Sequence, residues 1–132
     1  MKEHVFRLTK GDYLKESLMA YMKENNISSA TVLCAVGSLL ELNIRLAEAK
    51  EYLVKKEHYE IVSLIGTLCS DGCHLHISVS DKHGNVFGGH LENGNIINTT
   101  CEVVLGELED YKLSRDFDDA TGFKELKVEC KR

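Results

Sequence analysis

Between residues 59 and 108 the chain offers four strand-like runs, at 59–69, 73–80, 85–90 and 96–108, joined by only a few residues each. Ser70-Asp71-Gly72 separates the first pair and Asn93-Gly94 lies between the last pair, both of them turn signals. Parallel neighbours need a crossover of a dozen or more residues, so strands joined this tightly run antiparallel. The residues ahead of them add two further elements. Residues 4–9 alternate and end at Gly11-Asp12, a short first strand. Asp12 then offers an N-cap for a helix over 13–25, with Leu14, Leu18, Tyr21 and Met22 on one face and Asn25-Asn26 as a left-handed stop.

Residues 30–36 form a short apolar run that ends at Gly37-Ser38. From Leu40 to Leu46 apolar residues alternate with Glu41, Asn43 and Arg45. The composition there favours helix, but seven positions in succession keep a period of two, and strand is the reading adopted. A last strand is expected over 123–128. The predicted class is α+β: a mainly antiparallel sheet of about seven strands with at least one helix packed on it. At 132 residues this is a single domain, 1–132.

Composition narrows the function classes. No window approaches the ~20 apolar residues of a membrane span, and MKEHVFRLTK carries no apolar stretch of signal-peptide length, so a cytoplasmic location is expected. The five cysteines are odd in number and include no C-x-x-C pair, which reads as free, mostly buried thiols. Cys69 and Cys73 are spaced for a metal pair, but no second thiol pair completes a zinc site. The formal charge is −5 and the basic residues are scattered, unlike the concentrated basic face of a duplex-binding protein.

The chemistry lies in CHLHISVSDKHGNVFGGH, residues 73–90, which holds four histidines. Alternation sets His74, His76, Ser78 and Ser80 on one face and Leu75, Ile77 and Val79 on the other. His74 and His76 are then roughly 6.5–7 Å apart at Cα, from the rise per residue. A three-residue loop with Gly84 left-handed pairs Asp81 with Asn85 and sets His90 across from His76, on the same face. A two-residue turn at His83-Gly84 would flip His90 to the other face, unless Gly88-Gly89 adds a bulge. The longer loop is favoured, and Gly88-Gly89 then marks a bend or a close approach before His90. Three converging imidazoles suit zinc. The alternative is a polar sheet surface that merely carries histidines. Glu60 and Glu102, each inside an apolar run, are the carboxylates considered as catalytic partners; His83 is expected in solvent at the turn.

RLTKGD, VGSL, YEIVSLIGTL, HLHISVSDKHGNVFGGHLENG, TTCEV and TGFKEL, in that order, resemble the plant- and prokaryote-conserved (PPC or PCC) domain over about 6–126. The resemblance implies an α+β domain assembled as a homotrimer, with a zinc site at His74, His76 and His90. Plant relatives carry AT-hooks with an R-G-R-P core; this chain has no such core and no proline, so their DNA-binding label does not transfer on residue grounds. Three readings follow. The first is a trimeric metal-binding protein that takes a small ligand or catalyses a metal-assisted hydrolysis or hydration. The second is a DNA-binding or transcription-associated module, and the third an assembly protein whose histidines only line a cavity.

Overall fold

The computed structural model describes residues 1–131. The elements run β1 (Lys2–Thr9), α1 (Leu14–Glu24), β2 (Ser29–Arg45), a 3-10 turn (Ala47–Ala49), β3 (Tyr52–Lys55), β4 (Tyr59–Cys69), β5 (Gly72–Ser80), β6 (Val86–Leu91), β7 (Ile96–Glu107), β8 (Tyr111–Asp118) and β9 (Phe123–Cys130). Seven strands form one antiparallel sheet in the order β1-β7-β2-β4-β5-β6, with β3 beside the far end of β2; β8 and β9 pair only with each other. The expected α+β architecture with one helix is therefore present, in two sheets.

One connection shapes the site. The end of β2 pairs with β6 as well, Ile44 with Leu91 and Arg45 with His90, so β2, β4, β5 and β6 curl into a closed turn of sheet. β2 manages this because it is 17 residues long and its register shifts three times against β7. Gly37-Ser38 is thus a point inside a strand, where the sequence reading set a break. A side chain at Gly37 would overlap the Thr100 carbonyl, so this glycine serves close strand approach.

The helix buries Leu14, Leu18 and Met22, in one apolar cluster with Leu8, Leu39, Leu68, Ile97 and Leu105. Each such side chain contributes about 2 kcal/mol by leaving water. Asp12 does not cap it. Tyr13 holds the N-cap position without a side-chain bond, and the Asp12 carboxylate accepts from Thr9 N (2.8 Å), tying the turn at Gly11. The Leu14 N–H instead donates to the Asn95 carbonyl (2.8 Å), so a neighbouring strand end caps the helix. Asn26 takes the expected left-handed conformation, φ 54°. β3 and β8 were not expected, because neither has a clean apolar alternation. Of the five free cysteines, Cys69 and Cys101 are buried and Cys73 partly so, but Cys34 and Cys130 are exposed.

Candidate metal centre

The β5–β6 turn takes the longer form. The Asp81 N–H donates to the Asn85 carbonyl (3.0 Å), Gly84 is left-handed at φ 82°, and His76 stands across from His90. The Asp81 carboxylate accepts from the backbone N–H of His83 and Asn85, both at 2.9 Å, which fixes the loop. His83 itself is exposed. On β5, Leu75, Ile77 and Val79 are buried, so His74 and His76 face outward. A side chain at Gly88 would overlap the Ile77 carbonyl and one at Gly89 would come within 2.6 Å of the Arg45 carbonyl. The two glycines therefore let β6 press between β5 and β2, which carries His90 to the other histidines.

The three rings converge. Centroid separations are 4.9 Å for His74–His76, 5.3 Å for His74–His90 and 5.8 Å for His76–His90. One ligand nitrogen from each lies within 4.8 Å of the others, and the Nε2 atoms of His74 and His76 are 3.2 Å apart. A tetrahedral ion with bonds of about 2.0–2.1 Å spaces its ligand nitrogens about 3.3 Å apart. His90 Nδ1 is buried without a hydrogen-bond partner among the described residues, an expensive state for a polar atom. Burial, then the nearby His76 and Arg115 charges, hold His74 below its ordinary pKa. Burial, then Arg45, push His90 down to about 4. Both rings are therefore neutral at neutral pH, the form that can bind a metal. The donor set, the spacing and the orphaned nitrogen all fit a zinc-like ion.

The triad opens on a cavity of about 700 Å³. Arg45, Glu48, Ser63, Ser78 and His90 are among its polar lining, with Leu46, Ile65 and Phe123 on apolar walls. At its edge Glu48 and Ala49 are both left-handed, φ 75° and 58°, without a glycine between them. Such backbone costs on the order of 1–3 kcal/mol per residue. Neither acid considered from sequence lines this cavity. Glu60 lines a separate pocket with Ser38, His58 and Asp81, and Glu102 is exposed on β7, opposite Arg7 and Val36. Glu48 is the acid at the mouth. It escaped notice because it sits in a short irregular turn, and Arg45 escaped because only the β2–β6 closure brings it beside His90. His4 is outside the site, with its Nε2 2.9 Å from the Glu107 carboxylate.

A curled antiparallel sheet with one packed helix and a histidine triad on an outward hairpin face defines a class of small α+β domains with a histidine cluster open to solvent. The chain belongs to the Plants and Prokaryotes Conserved (PCC) domain family, whose sequence pattern matches residues 1–109. It is 41% identical over 129 residues to the "Bifunctional protein GlmU" of Synechococcus sp. (strain JA-3-3Ab), covering 98% of this chain and 21% of that protein. The chain thus spans about a fifth of the curated relatives it matches. Among solved structures it is similar to a hypothetical protein from Salmonella cholerae-suis (32% identity, TM-score 0.95, 99% of this chain and 95% of the other). A protein from Bacteroides thetaiotaomicron that carries a DNA-binding label matches at 25% identity and TM-score 0.86, over 95% and 91% of the two chains. A metal-containing protein from Archaeoglobus fulgidus matches at 29% identity and TM-score 0.76, over 96% and 94%.

Proposed function

We propose that this chain is a trimeric, cytoplasmic metal-binding domain that holds zinc at His74, His76 and His90 and receives a small ligand in the adjoining cavity. The convergence of three imidazoles, two of them 3.2 Å apart at Nε2, carries the metal reading. The metal-containing relative from Archaeoglobus fulgidus supports it. A bound zinc ion supplies a concentrated positive charge that polarises whatever oxygen faces it. The residues around it do the rest: the buried strand faces fix the rings, and Ser63 and Ser78, whose hydroxyls are 2.6 Å apart, offer hydrogen bonds on the cavity wall.

The homotrimer reading rests on the outer sheet face. Val5 and Val104 are paired there, and Val5, Val36 and Ile65 are 73%, 53% and 61% exposed. Apolar side chains spread over four neighbouring strands, with Arg7 and Glu102 among them, offer a surface for other copies to cover, and Ile65 stands opposite His76, so the triad borders that surface. No helix among the described residues is long and apolar enough to cross a membrane. A DNA-associated role is the second reading, supported by the label on the Bacteroides relative and opposed by the charge of −5.

Elemental analysis of tag-free protein beside His76→Ala tests the metal reading. About one zinc per chain, lost in the variant, is the expected result; no metal after incubation with zinc sinks it. Light scattering checks the trimer, and a low-salt DNA titration checks the second reading.

A further inference from the structure

The charge around the triad is unbalanced in a way the metal reading alone does not explain. A second space of about 270 Å³ adjoins the first behind His74 and His90. Arg45, Arg115 and Lys124 line it against one acid, Glu125. Lys15 is close enough to act on both His90 and Cys73. In a chain of net charge −5 this is a local concentration of cations.

Both guanidinium groups are held in place. The acid beside Arg115 is Asp71, whose carboxylate accepts from the Arg115 backbone N–H (3.2 Å) and lies close enough to feel the guanidinium charge. Arg45 pairs with His90 across the sheet and lies over the Phe123 ring at 5.4 Å. Arg115 donates from Nη2 to Thr67 Oγ1 (2.9 Å), while its Nε is buried with no hydrogen-bond partner among the described residues. Neither has a carboxylate within ion-pair distance among those residues. Imidazole ligands bring no negative charge to offset a divalent ion either. Ion and guanidinium groups repel each other unless an anion enters with them.

We propose that Arg45 and Arg115 form an anion-binding subsite beside the triad and that the ligand is a small organic carboxylate bound together with the metal. The inference rests on the metal reading for its coupling. A planar guanidinium fork matches a carboxylate, and Leu46, Ile65 and Phe123 provide the apolar wall for the body of the acid. Arg115 and Phe123 both come from the β8–β9 hairpin, beyond the residues 1–109 that match the family. Part of ligand selection, the share of Arg115 and Phe123, is thereby assigned to a segment separate from the one that holds the ion, while Arg45 belongs to the same sheet as the triad.

Calorimetry with benzoate as the probe tests this on zinc-loaded and metal-free protein, in wild type, Arg115→Gln and Arg45→Gln. Benzoate is expected to bind zinc-loaded wild type about tenfold more tightly than metal-free protein, and zinc to bind more tightly by the same factor when benzoate is present. Either substitution should weaken benzoate at least about tenfold, the scale of a lost charged hydrogen bond, with zinc per chain unchanged. Benzoate affinity unaltered in both variants, or no binding to zinc-loaded wild type at millimolar concentration, overturns the subsite. Inorganic phosphate binding more tightly than benzoate overturns the carboxylate assignment. If wild type takes up no zinc, the metal reading and the coupling fail together, and the metal-free titrations still decide the arginine pair. Should Arg115→Gln fail to fold, Arg45→Gln carries the test.

Discussion

The two β-hairpins at the site are built from the same turn chemistry and end in different physical states. In β5–β6 the Asp81 carboxylate accepts from two backbone N–H groups and Gly84 is left-handed. In β8–β9 the Asp118 carboxylate accepts from Ala120 N (2.8 Å) and Gly122 is left-handed at φ 77°. The first is enclosed: β4 pairs along β5, β2 pairs with β6, and Leu75, Ile77, Val79 and Leu91 are buried beneath them. The second has only itself. Phe117, Phe123, Leu126 and Val128 are exposed, and the hairpin is moored through buried Leu113, its N–H on Ser29 Oγ (2.8 Å), and through Arg115. A lone two-stranded hairpin is marginal in water. Position in the sheet, rather than the turn, makes the histidines rigid, while the wall that carries Arg115 and Phe123 rests on few anchors.

The sharpest way to break this comparison is to truncate a β-branched side chain in each hairpin. Ile77→Ala, beneath the triad, should cost about 2–5 kcal/mol in urea unfolding and reduce zinc uptake. Val128→Ala on β9 is exposed and should stay within about 0.5 kcal/mol. Equal losses would mean that the second hairpin is covered in solution, and the contrast would collapse.

Leu113→Ala should give the next largest effect, about 2 kcal/mol, confined to the second hairpin. Hydrogen exchange is expected to show β8 and β9 amides losing protection while β5 amides keep theirs. Loss in both sets would show one cooperative unit.

Titration of the metal-free protein probes the enclosed hairpin from another side. At pH 7 His90 is neutral whether the chain is folded or not, so its depressed pKa is then without effect. Below about 6.5 the unfolded chain takes up a proton that the folded ring, at about 4, refuses. Stability should therefore fall as pH drops through that window and level off beneath it; lowering of the His74 pKa acts in the same sense. His90→Asn should flatten the slope, and an unchanged slope would place the titration elsewhere.

The same contrast accounts for what could be read from the sequence. HLHISVS was legible because Leu75, Ile77 and Val79 are buried on one face and alternation reports one-sided burial. Once Asp81 and Gly84 set the loop, the register of His76 and His90 followed from them. YKLSRDFD was not legible, since β8 buries little beyond Leu113 and so leaves no period to detect. The same holds for the site: the triad is local to one hairpin, whereas Arg45 reaches it through sheet closure and Arg115 through a tertiary mooring. Glu60 and Glu102 were chosen for lying in apolar runs, a signal of strand position that says nothing about distance from His74.

The smallest expected difference comes from the turns. Asp81→Ala and Asp118→Ala each remove a carboxylate acceptor from a loop, at a cost of about 1 kcal/mol. The local chemistry is nearly the same, but the readouts should not be. In β5–β6 the turn is coupled to the whole sheet, so the loss should appear in global urea unfolding and as weaker zinc binding, because the His76–His90 register depends on that loop. In β8–β9 the loss should appear only as faster exchange near residues 118–123, with global stability and zinc unchanged. If Asp118→Ala lowers global stability as much as Asp81→Ala does, the second hairpin is as tightly built in as the first, and ligand selection by a separately anchored wall loses its physical basis.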